Sequence, residues 1–470
     1  MPRSPTSFEA RSHQSVGLPN QRAALVHTTA MLAAQRSTAI AAQPDWAELT
    51  ARCTALRRHT IAHLGFYLEA LEKAIQARSG QVIWARNSGE ACQAIIALAQ
   101  RAGVTQVVQT RSPLPLEIGL MAALRGAGLT TFLLNQGEFL AELSGQRPAH
   151  PNAGVANQRI DDIVRTLHAR LDMPVFLNAG AANRIVRGRT RQAVLQSGLA
   201  VMGIDFAVAE TGALALFNDQ GDVRLASALA PLQVAIMGLE QIVPTFDDLW
   251  LLSGVHTRSA SGRSAPTYLE LLSAAPTADR EFHLILLDNG RSAMLAGPEV
   301  GMLTCIQCGA CMDVCPVARR VGSQPYAWSY PGPVGAVMGP LHLSSQFADA
   351  AEASTLCGAC RTVCPVGIDL PRHLLRARAR RSGSRMRLSG LVGRTLLSSH
   401  QTPGARLLML SAVNRLGRVL VRAGRSQRWL APWLWRWTAA RHLPPPAAES
   451  FRARWARQHP QARSEAAHAR

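Results

Sequence analysis

Lysine is almost missing from this chain: Lys73 is the only one among 50 basic residues, all the others being arginine. Aromatic residues make up only 5% and charged residues 17%. The arginine excess is read as a bias of base composition rather than of chemistry. No stretch approaches the roughly 18 uninterrupted apolar residues of a membrane span, and the opening residues MPRSPTSFEARSHQ hold no apolar run of signal-peptide length. A cytoplasmic protein is expected. No G-x-G-x-x-G follows the first candidate strand, and neither a P-loop nor an H-E-x-x-H occurs. Dinucleotide, nucleoside triphosphate and metalloprotease chemistry therefore lose their usual support.

Cysteine is concentrated. Seven of the nine lie in two runs, Cys305-Ile-Gln-Cys308-Gly-Ala-Cys311-Met-Asp-Val-Cys315-Pro316 and Cys357-Gly-Ala-Cys360-Arg-Thr-Val-Cys364-Pro365. The first has the C-x2-C-x2-C-x3-C-P spacing that holds cubane iron–sulfur clusters in bacterial ferredoxins; the second lacks only its first cysteine. Two intervening residues let a tight turn aim successive sulfurs at the corners of a cube, and Gly309 and Gly358 ease those turns. In two-cluster ferredoxins the fourth cysteine of each run binds the other cluster. Cluster 1 then takes Cys305, Cys308, Cys311 and Cys364, and cluster 2 takes Cys315, Cys357 and Cys360, one thiolate short. The place of the eighth cysteine is held by Ser354. Cluster 2 is thus either a [4Fe-4S] cube completed by serine, water or substrate, or a [3Fe-4S] cluster. Zinc sites seldom use a third close cysteine with a Cys-Pro ending, and disulfide frameworks belong to small secreted chains.

The net charge of +20 is not shared evenly: from Pro371 onward 21 arginines face two acids, Glu449 and Glu465. The nearly neutral body argues against nucleic acid binding, and the tail reads as a docking surface. Its Trp429, Trp433, Trp435 and Trp437 among arginines suit an acidic membrane face or a partner protein.

Residues 1–44 read as a flexible arm, 45–80 as an N-terminal helix opening at Asp45, and 81–298 as an α/β domain in which short apolar runs alternate with amphipathic stretches. Candidate strands are Val82–Ala85, Gln106–Gln109, Thr130–Leu134, Asp205–Ala209, Leu214–Phe217, Val234–Gly238 and His283–Leu287, expected to form one parallel sheet. Residues 299–372 hold the clusters and 373–470 form a basic helical C-terminal region. Cys53 and Cys92 fall on apolar helical stripes and read as core residues. The aromatic and proline-rich segment 324–333 shields a cluster or fills a small core.

The whole chain resembles the lactate utilisation protein B family. The matching residues include Glu210-Thr-Gly212, Gly221 with Arg224-Leu225, Val243-Pro-Thr245, Thr257-Arg-Ser259, Leu287-Asp-Asn-Gly-Arg-Ser292, Tyr330-Pro-Gly-Pro-Val-Gly-Ala336 and Leu443-Pro-Pro-Pro-Ala447. The resemblance implies a LUD domain, similar in fold to the ribose-phosphate isomerase and CoA-transferase group, followed by a ferredoxin-like module with two clusters. It implies an iron–sulfur subunit that works with companion lactate-utilisation subunits and an electron acceptor in oxidising L-lactate. The chain departs from the family pattern at Arg111-Ser-Pro-Leu-Pro-Leu-Glu117, Asn135 and Asn157, while Glu138 and His150 remain. Losing a lysine, a carboxylate and an imidazole there withdraws acid–base groups, so no catalysis is assigned to that region.

Two functions follow. In the first, the clusters pass single electrons onward and the LUD domain is a scaffold. In the second, the LUD domain is itself an enzyme or a small-carboxylate or acyl-binding module, with Glu210 as nucleophile or base and Arg224 or Arg111 as the anion partner. Contact of the tail with the inner membrane face is expected under either.

Overall fold

Strands covered on both faces read as unbroken apolar runs, and in Leu199–Gly203 and Leu232–Gly238 every residue is buried. They form the middle of a wholly parallel sheet in the computed structural model, which describes residues 7–16, 18–173, 178–273, 280–326, 329–342, 345–383 and 451–458. The strands are β1 (Gln81–Ala85), β2 (Gln106–Gln109), β3 (Thr130–Leu133), β4 (Leu199–Gly203), β5 (Phe206–Val208), β6 (Leu214–Asn218), β7 (Leu232–Gly238), β8 (Ile242–Val243), β9 (Tyr268–Leu272) and β10 (Glu281–Leu287). Six of them pair in the order β1-β10-β7-β4-β2-β3, with one apolar core on each face. Gln109 is level with Leu133 on one side and Val201 on the other. The chain segments leaving β2, β3 and β4 therefore emerge together at one edge.

The expectation of a single parallel sheet needs correction. β5 and β6 belong to a second, four-stranded sheet of mixed direction, ordered β8-β5-β6-β9. Glu210-Thr-Gly212 is the turn of the β5–β6 hairpin, closed by the Gly212 N–H donating to Val208 O at 2.9 Å. An antiparallel pair needs only such a turn, whereas a parallel pair needs a crossover.

The N-terminal expectations change as well. Residues 8–16 and 19–41 are helices α1 (Phe8–Val16) and α2 (Pro19–Ala41) rather than a loose arm. Pro19 sits in the first turn, where a missing N–H costs nothing, and the alanine-rich run that follows has high helix propensity. The expected helix over 45–80 is two, α3 (Trp46–Ala62) and α4 (Leu64–Gln76), parted at His63, whose backbone leaves helical angles. Leu71 and Ile75 of α4 are fully buried, each contributing roughly 1.5–3 kcal/mol.

Residues 1–383 form one compact unit and 384–470 another. Within the first, one core takes in Phe8 of α1, Cys53 and Ile61 of α3, β5, and the cysteine-bearing segment from Met302 to Ala377. Phe8 meets Tyr326 edge-on at 5.1 Å, and Arg36 donates to Val363 O at 2.7 Å. The N-terminal helices thus strap the cysteine module to the α/β domain. Of the second unit only the helix Phe451–Gln458 is described, so the expected tryptophan cluster lies outside the described residues. Among the described residues no helix is long and apolar enough to cross a membrane.

Candidate functional site

The two cysteine runs adopt the same backbone shape. Gln307 and Leu356, each just before a cysteine, have φ of 57° and 54°, and Gly309 and Gly358, each just after it, have φ of 78° and 83°. A non-glycine residue at positive φ is costly and marks a functional constraint. The repeat goes one step further: the Gln307 N–H donates to Cys305 Sγ at 3.4 Å, and the Leu356 N–H donates to Ser354 Oγ at 3.2 Å. Ser354 thus presents its hydroxyl where the first run presents a thiol.

None of the nine cysteines is in a disulfide. Burial pushes the Cys305 and Cys308 thiols up to about 12 and the Cys311 thiol well above its usual range, and neighbouring thiols add to the shift. Buried thiols of this kind become thiolates only where a positive metal centre offsets the lost solvation. The mutual influence is grouped. Beyond burial, Cys305, Cys308 and Cys311 are all raised by Cys364, and Cys311 also by Cys308, Cys305 and, last, Cys360, whereas Cys315 is raised by Cys357 and Cys360 by Cys315 and Cys357. Cys357 is exposed, and the Ala359 N–H holds its thiol below the usual range. Among the described residues no three His, Cys, Asp or Glu side chains gather on one ion; a cubane spreads its thiolates over separate corners. The donor set therefore fits iron–sulfur clusters.

Two arginines flank the first group. Arg57 is fully buried and donates to the carbonyls of Glu240, Ile242, Leu303 and Thr304. Burial lowers it to about 10, partly offset by Glu240 and Cys305, so it remains a cation at neutral pH. Burial lowers Arg36 as well, partly offset by Cys308, Asp313 and Cys364. Positive charge beside a cluster raises its reduction potential.

A cavity of about 420 Å³ joins this module to the α/β domain. Its lining includes Cys305, Cys308, Cys311 and Cys364, but not Cys315, Cys357 or Cys360. Its lining also includes Arg111 after β2, Asn135 after β3 and Asp205 after β4. From β2 the chain passes outward to β3 and then back to β4, so this part of the lining lies at the carboxyl ends of strands where the sheet order reverses, the customary binding crevice of such sheets. Gly203 lets β4 approach closely: a Cβ there would lie 2.0 Å from Ser112 Cβ.

Arg111 is exposed to the cavity and donates to Asn152 Oδ1 at 3.0 Å. Asn152 in turn donates to Cys308 O at 2.8 Å. The Asn152 N–H donates to His150 Nδ1 at 3.1 Å, which leaves the proton on Nε2, 3.0 Å from Asp313 Oδ1. Burial pushes Glu138 up to about 7 and Asp205 up to about 6, in both cases opposed by Arg111, while burial lowers His256 to about 4.

Glu138 therefore gives a stability prediction. Its folded value lies above the unfolded one, so its contribution is fully present below about 4.3 and is lost as pH rises through about 7. Glu138→Gln escapes that loss. Thermal unfolding is expected to show the variant gaining on the wild type between pH 4 and 8, by on the order of 3 kcal/mol. A gap independent of pH would show that the carboxyl does not ionise there.

The sequence candidates Glu210 and Arg224 lie elsewhere. Glu210 is exposed and accepts from the Phe246 N–H at 3.0 Å, at the start of the helix Phe246–Ser261. Arg224 pairs with Glu270 at 3.0 Å and lies over the Tyr268 ring. Neither lines the cavity. Asp205, Asn152 and His256 went unmarked in sequence, because only the strand order brings them to Arg111.

The family motifs also meet one another. Arg291 makes two bonds to Glu117, at 2.9 and 3.0 Å, and one to Glu240 at 2.5 Å. The Tyr330 hydroxyl donates to Glu117 at 3.2 Å and Asn289 donates to it at 2.6 Å. The segments 287–292 and 330–336 thus pin the sheet to the cysteine module. The Tyr326 side chain, near Cys311 and Cys315, is buried as well.

Residues 68–290 match the LUD domain family and residues 301–368 the 4Fe-4S dicluster domain family. The chain is 31% identical over 462 residues to a protein of Escherichia coli (strain K12) named uncharacterized electron transport protein YkgF, with 97% of each covered. It is 31% identical to lactate utilization protein B of Bacillus pumilus, over 84% of this chain and 86% of that one. The lactate utilization protein B of Shouchella clausii is 32% identical over 87% and 88%. A crystal structure of a duf162 family protein from Deinococcus radiodurans covers 48% of the chain at 15% identity and a TM-score of 0.26, too distant to bear on the fold.

Proposed function

The chain belongs to the lactate utilization protein B family, and from that we propose that it is the iron–sulfur electron-transfer subunit of a system oxidising L-lactate, or a related 2-hydroxy acid, to the 2-oxo acid. Cys305, Cys308, Cys311 and Cys364 hold cluster 1, and Cys315, Cys357 and Cys360 hold cluster 2. When bound, such clusters supply single-electron transfer. A companion subunit removes the hydride equivalent, and an acceptor receives the electrons one at a time.

One observation carries this reading: the thiols divide into a group lining the cavity against the α/β domain and a group ending at the exposed Cys357. Two groups, one of which reaches the surface, suit a relay, which a purely structural site does not need. Iron and sulfide analysis with EPR on anaerobically purified protein tests it. Roughly seven or eight irons per chain and two reducible signals are expected. Zinc in place of iron, or clusters that no reductant reaches, would remove the relay.

Ser354 completes cluster 2 in this reading, since its hydroxyl accepts the amide equivalent to the one Cys305 accepts. Ser354→Cys is expected to fix a full cube and remove any three-iron signal from oxidised protein. An unchanged spectrum would place the missing ligand elsewhere.

A further inference from the structure

The cavity has more lining than its thiols. Besides Cys305 and Cys364, its wall includes Arg111, Asn135, Glu138, Asp205 and His256, and a cubane needs none of them. Among the described residues Arg111 is paired with no carboxylate; its hydrogen bond goes to the neutral amide oxygen of Asn152. Its guanidinium retains donors for an anion. Burial raises Glu138, Asp205 and Asp222, so the acids nearby offset the Arg111 charge least below about pH 6. Among the described residues His256 Nδ1 is buried without a hydrogen-bond partner, and Phe217 packs against its ring at 5.0 Å. One fixed positive charge, buried polar groups and an apolar wall make a receptor for a small anion bearing a further polar group.

We propose that this part of the cavity binds a small carboxylate, held by Arg111 and bordered by Asp205 and His256, and that Asn152 couples its occupancy to cluster 1. The site rests on the electron-transfer reading, in that cluster 1 fills the cysteine-lined part of the same cavity. Asn152 is the link. Its Oδ1 accepts from Arg111, and its Nδ2 donates to Cys308 O at 2.8 Å. An anion drawing on Arg111 both adds negative charge near the cluster and pulls on the residue that positions the Cys308 loop.

The groups around the site set a pH dependence. Glu138 faces Arg111, Asp222 and Glu142; Asp205 faces Arg111 and the Phe217 N–H; Asp222 faces Asp219 and Arg111. As pH rises through about 6 and then about 7, Asp205 and Glu138 gain negative charge. Carboxylate affinity is expected to fall over that interval.

The test uses the anaerobically purified holoprotein with two probes, L-lactate and oxalate. Calorimetry measures affinity, and an EPR-monitored redox titration measures the potential of each cluster with and without probe. Wild type is expected to bind a probe, with a negative shift of the cluster 1 potential and none of cluster 2. Arg111→Met should lose at least about tenfold in affinity, together with the shift, while Arg111→Lys, which keeps the charge but not the fork, retains part of both. Arg224→Gln should bind as wild type. Absence of binding by either probe, or an Arg111→Met variant that binds as wild type, would overturn the proposal. The relay reading fails separately, through missing or irreducible clusters in the titration without probe.

Discussion

Replacing Cys364 by alanine is expected to abolish cluster 1 and leave cluster 2, although Cys364 is the last cysteine of the second run. Sequence neighbours make the opposite guess natural. Cys357 and Cys360 lie only seven and four residues before it. Yet Cys364 lines the cavity with Cys305, Cys308 and Cys311, while Cys357 and Cys360 do not. Its thiol also bears on those three. The variant should lose roughly four irons and one of two EPR signals. Electron transfer through cluster 1 should fall to background. Cys315→Ala should remove the other signal, although Cys315 belongs to the first run. If Cys364→Ala and Cys357→Ala extinguish the same signal, each run serves its own cluster and the exchanged assignment is wrong. The N-terminal straps make the experiment practicable, because the core around the module also draws on α1 and α3.

Reading the cysteines needed little beyond their spacing, because a cube constrains local geometry and local geometry is what sequence displays. The repeat extends to Gln307 and Leu356, whose positive φ no composition announces. Strand β4 was harder. Leu199-Ala-Val-Met-Gly is an unbroken apolar run directly after a helix, and such a run cannot be told from buried helix by periodicity. Helix α2 escaped because it buries only Leu25 and Thr29 and so shows no apolar stripe. Glu210-Thr-Gly212 looked like chemistry because family resemblance cannot separate a residue kept for a turn from one kept for a substrate. The crevice at Arg111 was hidden for another reason. Arg111, Asn152, Asp205 and His256 come from four separate segments, and only the order β4-β2-β3 with the loop over 148–157 brings them together.

Arg291→Met is expected to cost about 3–5 kcal/mol at neutral pH, a large part of the stability of an ordinary domain. Arg291 and Glu117 are fully enclosed and Glu240 nearly so. Burial alone pushes the Glu117 carboxyl up, but the charge and hydrogen bonds of Arg291, with Asn289 and His342, hold it below its usual range. Methionine fills much of the space and removes the shared cation, leaving two buried carboxylates facing each other's field. The sign with pH follows. Glu117, depressed in the wild type, stabilises above its unfolded value of about 4.3, and that stability is lost as pH falls through the folded one. In the variant Glu117, buried without its cation, takes up a proton instead. The difference between the proteins should therefore be greatest near pH 8 and shrink as pH falls toward 5, measured by thermal unfolding. An equal loss at both pH values would show that packing rather than charge is at stake. The consequence also reaches the clusters. Glu117 receives the Tyr330 hydroxyl from the cysteine module, and Tyr330 lines the cavity that holds the cluster 1 thiols. Loosening this network should weaken the hold of the α/β domain on the module, so iron should be lost from cluster 1 before cluster 2 when the variant is warmed.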